Sequence, residues 1–189
     1  MKPAVIFFAA VLLCAPLSDH AQAAVKGDGG SGAAGREQIC SKAENILRIG
    51  SRAPEITLES LMEDTMRLSQ VKSNLLLLDF WTSYCSTCQV EYQSTLLPLY
   101  YKYYHQGFQV FAVSFDTDAA KWLQAIEENK YAWIQVADFG GISGSAIARR
   151  YQIEAIPTNY LLDENGFILA KNLRGKQLES FVEQYLEGK

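Results

Sequence analysis

The chain has 189 residues, enough for one sizeable domain with length to spare. Its 49% hydrophobic and 20% charged residues are ordinary for a globular protein. A net charge of −4 with no block of like charge argues against nucleic acid or an anionic membrane surface as partner.

The N-terminus reads as a leader. Lys2 supplies a short positive region, residues 4–13 are apolar, and Ala21-Gln22-Ala23 fits a small-x-small cleavage site. The apolar run is shorter than the roughly 20 residues a bilayer span needs. We therefore expect a signal peptide over residues 1–23, a periplasmic or otherwise extracytoplasmic location, and no membrane span after cleavage. An uncleaved anchor is the alternative. Lipidation at Cys14 is disfavoured by Leu13, which stands where a small residue is wanted. Residues 24–48 read as a flexible linker, Gly-rich over 26–35, followed by a short helix that carries Cys40. Loss of Cys14 with the leader leaves Cys40, Cys85 and Cys88, an odd count. Cys40 is either a resolving or intermolecular thiol, or an incidental one.

The domain proper is expected over residues 49–189. Residues 55–58 alternate like an edge strand after Pro54, and residues 66–68 can pair with them as a hairpin. Leu75–Trp81 (LLLLDFW) is a continuous apolar run with one acid, the pattern of a central strand covered on both faces. The chain then turns and sets Cys85 at the start of a helix, with Cys88 one turn further in. Residues three apart share a helical face, so the two sulfurs can meet and bond. The positive end of the helix favours thiolate at Cys85. That is the chemistry of a reactive dithiol.

The helix is expected to run to Gln106 and stop at Gly107, kinked by Pro98. Its tyrosines read as packing residues. A second central strand covers residues 108–115, and Thr117 or Asp118 caps a helix over Ala119–Asn129. A short strand at 133–136, a loop at 140–144 and a short helix at 145–151 follow. Thr158–Asp163 and residues 167–170 read as a hairpin about Asn165-Gly166, and residues 176–186 as a closing helix. Helices and strands in this order give an α/β domain of three layers, α/β/α.

This arrangement resembles the thioredoxin superfamily, and within it the TlpA/ResA-like thiol–disulfide oxidoreductases. The resemblance is carried by Asp79-Phe80-Trp81, Cys85-Ser86-Thr87-Cys88, Glu91 and Ile156-Pro157-Thr158, and covers residues 49–186. It implies a thioredoxin fold with a central mixed sheet, an N-terminal β-hairpin extension, and a helix–strand insertion supplied by residues 119–136. It also implies roles. Cys85 is the attacking thiolate and Cys88 the resolving thiol, forming a redox-active disulfide. Asp79, six residues before Cys85, is the first candidate to accept the Cys88 proton, and Glu91 the second. Pro157 is implied to be cis and to face the dithiol. With Ile156 and Thr158 it would meet an extended substrate segment, while Trp81 and Tyr84 line the surface around Cys85.

The implied partners are protein disulfides of the cell envelope, apocytochrome c among the possibilities, and a membrane thiol carrier as electron donor. A monomer without organic cofactor or metal is expected, acting as a reductant. This sequence departs from the family at Ser86-Thr87, which stand where proline-containing dipeptides are common, and at Gln93, where a proline is usual; with Pro98 five residues later, that departure implies a shifted kink or a π-bulge in the helix. Three readings stay open beside this one. Thr82-x-x-Cys85 echoes a thiol peroxidase, although Leu78 replaces the proline such a motif needs. Cys85 and Cys88 could hold zinc or copper, with Cys40 and His105 left to complete the site. A chaperone with a vestigial dithiol is the third.

Overall fold

The computed structural model describes residues 47–60 and 64–188. The expected leader, spacer and Cys40 segment lie outside them. Two short strands, β1 (Thr57–Glu59) and β2 (Thr65–Arg67), form the expected antiparallel pair, with Leu58 opposite Met66. Next comes β3 (Leu75–Trp81), buried along its whole length. The long helical run is segmented. It comprises α1 (Ser86–Glu91), a π turn (Tyr92–Leu96), α2 (Leu97–Tyr103) and a 3-10 turn (Tyr104–Gln106). The π turn lies just before Pro98, whose ring would collide with the Ser94 carbonyl of a regular helix. Gly107 ends the run with φ +86°, and a Cβ there would lie 2.7 Å from the Asn74 side chain.

β4 (Phe108–Ser114) leads to α3 (Ala119–Asn129), capped by Asp118, and to β5 (Ile134–Ala137). The expected loop at 140–144 contains a helical turn, α4 (Gly141–Gly144), followed by α5 (Ala146–Arg150). β6 (Thr158–Asp163), β7 (Ile168–Lys171) and α6 (Gly175–Glu187) complete the chain.

The main sheet has the order β5-β4-β3-β6-β7. β3, β4 and β5 are parallel, and β6 and β7 are antiparallel to their neighbours. Side chains of β3 alternate between two cores. Leu75, Leu77 and Trp81 join Cys88, Tyr92, Tyr103, Trp122 and Val182 on one face. Leu76, Leu78 and Phe80 join Ile56, Leu68, Ile147 and Tyr151 on the other. Leu47 is buried in this second core, so packing begins ahead of Ile49. The result is a thioredoxin-like fold with a mixed central sheet. The β1–β2 hairpin is its N-terminal addition, and α3 and β5 occupy the place expected of the insertion.

Candidate active site

The C-terminal end of β3 delivers the chain to residues 82–84 and then to Cys85. Cys85 is the N-cap of α1, in extended conformation, and its sulfur accepts from the Cys88 N–H at 3.1 Å. Cys85 and Cys88 are disulfide-bonded, so the site is in its oxidised form. Cys85 sits at the edge of the surface, whereas Cys88 has no exposure. Thr87 Oγ1 lies 3.3 Å from Cys85 Sγ, so the departing dipeptide puts a hydroxyl beside the outer sulfur.

The turn before Cys85 is fixed by an acid on the neighbouring strand's exit. Asp116 is buried and accepts from the Ser83 N–H (2.9 Å), Ser83 Oγ (2.6 Å) and Ser114 Oγ (2.6 Å). Gln89 on α1 donates to the Ser83 carbonyl at 2.6 Å. Both ends of the Ser83 peptide are therefore held. Asp116 is not among the residues that the sequence singles out. Its available signal is an acid directly after the buried strand, at the sheet end that carries the dithiol.

Asp79 projects onto the same sheet face as Leu77 and Trp81, the face that packs against Cys88. Its carboxyl is buried and accepts from Tyr92 Oη at 2.5 Å. Burial pushes its pKa up to about 7, against the opposing pull of the Tyr92 hydrogen bond and the Arg174 charge. Burial also raises the Tyr92 hydroxyl well above its ordinary value. Glu91 is close enough to add to the proton affinity of Asp79. Its Oε1 is engaged elsewhere, accepting from the Gly175 N–H at 2.9 Å at the start of α6. Neither Tyr92 nor Arg174 stands out in the sequence, because Tyr92 reads as one more aromatic in an apolar helix and Arg174 lies 95 positions from Asp79.

The Ile156-Pro157 bond is cis. Antiparallel pairing sets Phe80 opposite Thr158. One step further in that register brings Pro157 level with Trp81, at the sheet end where the chain turns toward Cys85. Ile156, Pro157 and Thr158 are half-buried, and Tyr84 beside Cys85 is 71% exposed. Trp81 corrects an expectation. It has no exposure and packs on Tyr92 and Tyr131, with ring centroids 5.5 and 5.6 Å away. The last residue of an interior strand faces the core, so Trp81 backs the site and cannot line its surface. Among the described residues, no three His, Cys, Asp or Glu side chains gather as a metal site.

A family model described as Redoxin matches residues 48–186. The chain is 26% identical over 146 residues to the thiol–disulfide oxidoreductase ResA of Bacillus cereus, covering 76% of this chain and 80% of that one. Among solved structures, it resembles the thioredoxin domain of a thiol–disulfide oxidoreductase from Bacteroides vulgatus. That match has 35% identity, covers 75% of this chain and 99% of the other, and has a TM-score of 0.68. A thiol:disulfide interchange protein from Bacteroides sp. matches with 35% identity, covers 75% and 92% of the two chains, and has a TM-score of 0.66.

Proposed function

This chain belongs to the Redoxin family, as a TlpA/ResA-like member of the thioredoxin superfamily, and from that premise we propose that it reduces disulfides of envelope proteins after export. Thiol–disulfide oxidoreduction is its activity. The finer reading assigns the steps. Cys85 thiolate attacks a substrate sulfur, a mixed disulfide forms, and one substrate sulfur leaves as thiolate. Cys88 gives its proton to Asp79 and attacks Cys85 Sγ. The second substrate sulfur then leaves, so the substrate gains two electrons and the Cys85–Cys88 pair loses two.

The observation that supports this reading is the pairing of an outer sulfur at a helix N-cap with an inner one fully buried on the face that carries Asp79. Tyr84, Ile156, Pro157 and Thr158 would contact the substrate chain. The signal peptide over 1–23, a linker from residue 24 that ends ahead of the buried Leu47, a thiol carrier in the membrane as electron donor and a monomeric state complete the proposal. Cytochrome c biogenesis is one process that it would serve.

The test is a trap and a potential. Cys88→Ala accumulates mixed disulfides with oxidised protein substrates, and Cys85→Ala accumulates none. A Cys85–Cys88 potential near that of thioredoxin, about −270 mV, fits a reductant, and one near about −120 mV overturns that direction.

A further inference from the structure

We infer that Tyr92 is a positioning residue of the resolving step, holding the Asp79 carboxyl as the proton acceptor for Cys88. This inference rests on the reading above that Asp79 takes that proton. Tyr92 lies four residues after Cys88 in the same helical run, one turn along the same face. Its hydroxyl donates to Asp79 Oδ2 at 2.5 Å, and both side chains are buried. The ring cannot swing freely. Trp81, Tyr131 and Trp133 surround it with centroids 5.5, 4.9 and 5.3 Å away.

The chemistry of this contact is specific. A carboxyl without a donor would keep its proton to higher pH, because water no longer solvates the charge. The phenol supplies a donor that is itself neutral at physiological pH. It commits Oδ2 and leaves Oδ1 to accept the Cys88 proton. The Cys88 electron pair then closes on Cys85 Sγ as the bond to substrate breaks. The other charges that face this pair are Arg174, at the N-cap of α6, which favours the carboxylate, and Glu91, on α1, which opposes it. Tyr131, after α3, acts on the Tyr92 hydroxyl.

The experiment compares wild type, Tyr92→Phe, Asp79→Asn and the double variant. Tyr92→Phe keeps the ring, and chemically installed 3-fluorotyrosine at position 92 is a second, sterically mild variant with a stronger donor. Two readouts are taken: resolution rate of a preformed mixed disulfide against pH, and the Asp79 titration by carboxyl-carbon NMR. Loss of a hydrogen bond to a charged group implies about a tenfold slower resolution at pH 7 and a profile moved up by about one unit. Fluorotyrosine moves the profile down, and the double variant matches Asp79→Asn alone. If Tyr92→Phe moves neither readout while Asp79→Asn slows resolution, Tyr92 has no positioning role and the Asp79 reading survives. If Tyr92→Phe moves the titration but Asp79→Asn leaves resolution unchanged, the Asp79 reading itself fails and takes the proposal with it.

Discussion

At the scale of single residues, the site depends on two buried acids of different legibility. Asp79 was visible through the resemblance to thioredoxin, which implies a buried acid six residues before the first cysteine. Asp116 was not, because its partner Ser83 is 33 positions away and only the parallel register of β3 and β4 brings them together. Asp116 serves three donors, so its removal strands them. Each unmet buried group costs about 1–3 kcal/mol, although water entering the gap will recover part of that. Asp116→Ala is expected to lower stability by about 3 kcal/mol, read from the urea midpoint at unchanged m-value. It should also slow attack by Cys85, since the Ser83 N–H and hydroxyl lose their acceptor and the turn carrying the sulfur keeps only the Gln89 contact and its own Cys85 N–H to Thr82 carbonyl bond. Ser83→Ala removes only one of these donors and should cost about 1 kcal/mol. Equal losses in the two variants would show that the Asp116 cluster does not work through three separate bonds.

At the scale of elements, the helix after the dithiol was legible as one amphipathic run, and comparison with the family left a shifted kink and a π-bulge as alternatives, of which the structure has the π turn. Pro98 and the missing proline at Gln93 carried that expectation. What sequence could not supply was the destination of Glu91. Helical spacing sets it three residues past Cys88, and on that basis alone it belongs beside the sulfurs. In the folded chain its Oε1 instead meets the first free N–H of α6, from Gly175. A carboxylate there satisfies an orphan donor and complements the positive end of a 13-residue helix. The contact ties the dithiol helix to the closing helix. Glu91→Ala is therefore expected to cost about 1 kcal/mol, whereas Glu91→Gln, which keeps an acceptor, loses about half of that. Hydrogen exchange at the first turn of α6 is the direct check, with faster exchange in the Ala variant. Unchanged exchange there would detach Glu91 from this role.

At the scale of the whole molecule, both edges of the sheet are covered by chain from the N-terminal side. Gly50 N–H donates to the Ile168 carbonyl at the start of β7, Ala53 N–H to the Gly166 carbonyl in the turn before it, and Ser60 bridges Val136 on β5. Strand identity and order of appearance were readable from apolar runs. This edge cover was not, because the segments involved are too short and polar to show a period. Between the two covered edges, β3 lies buried with one ionisable side chain in its middle, and that placement makes the stability of the whole domain depend on pH. Asp79 has a folded pKa of about 7, above the ordinary value of 3.8 that it takes in the unfolded chain. The folded state therefore holds a proton that the unfolded chain releases. Its stabilising contribution is complete below about pH 4 and is lost as pH rises through about 7, with a slope of at most about 1.4 kcal/mol per unit. Glu55, whose pKa is lowered, contributes with the opposite sign. It is present in wild type and Asp79→Asn alike and cancels from their difference. The amide that replaces the carboxyl in Asp79→Asn can still accept from the Tyr92 hydroxyl but carries no charge. The oxidised Asp79→Asn protein is thus expected to match wild type near pH 4 and to exceed it increasingly up to about pH 8, in urea midpoints measured without reductant. Parallel curves for the two proteins across that window would mean that the Asp79 carboxyl ionises in the folded state as readily as it does in water.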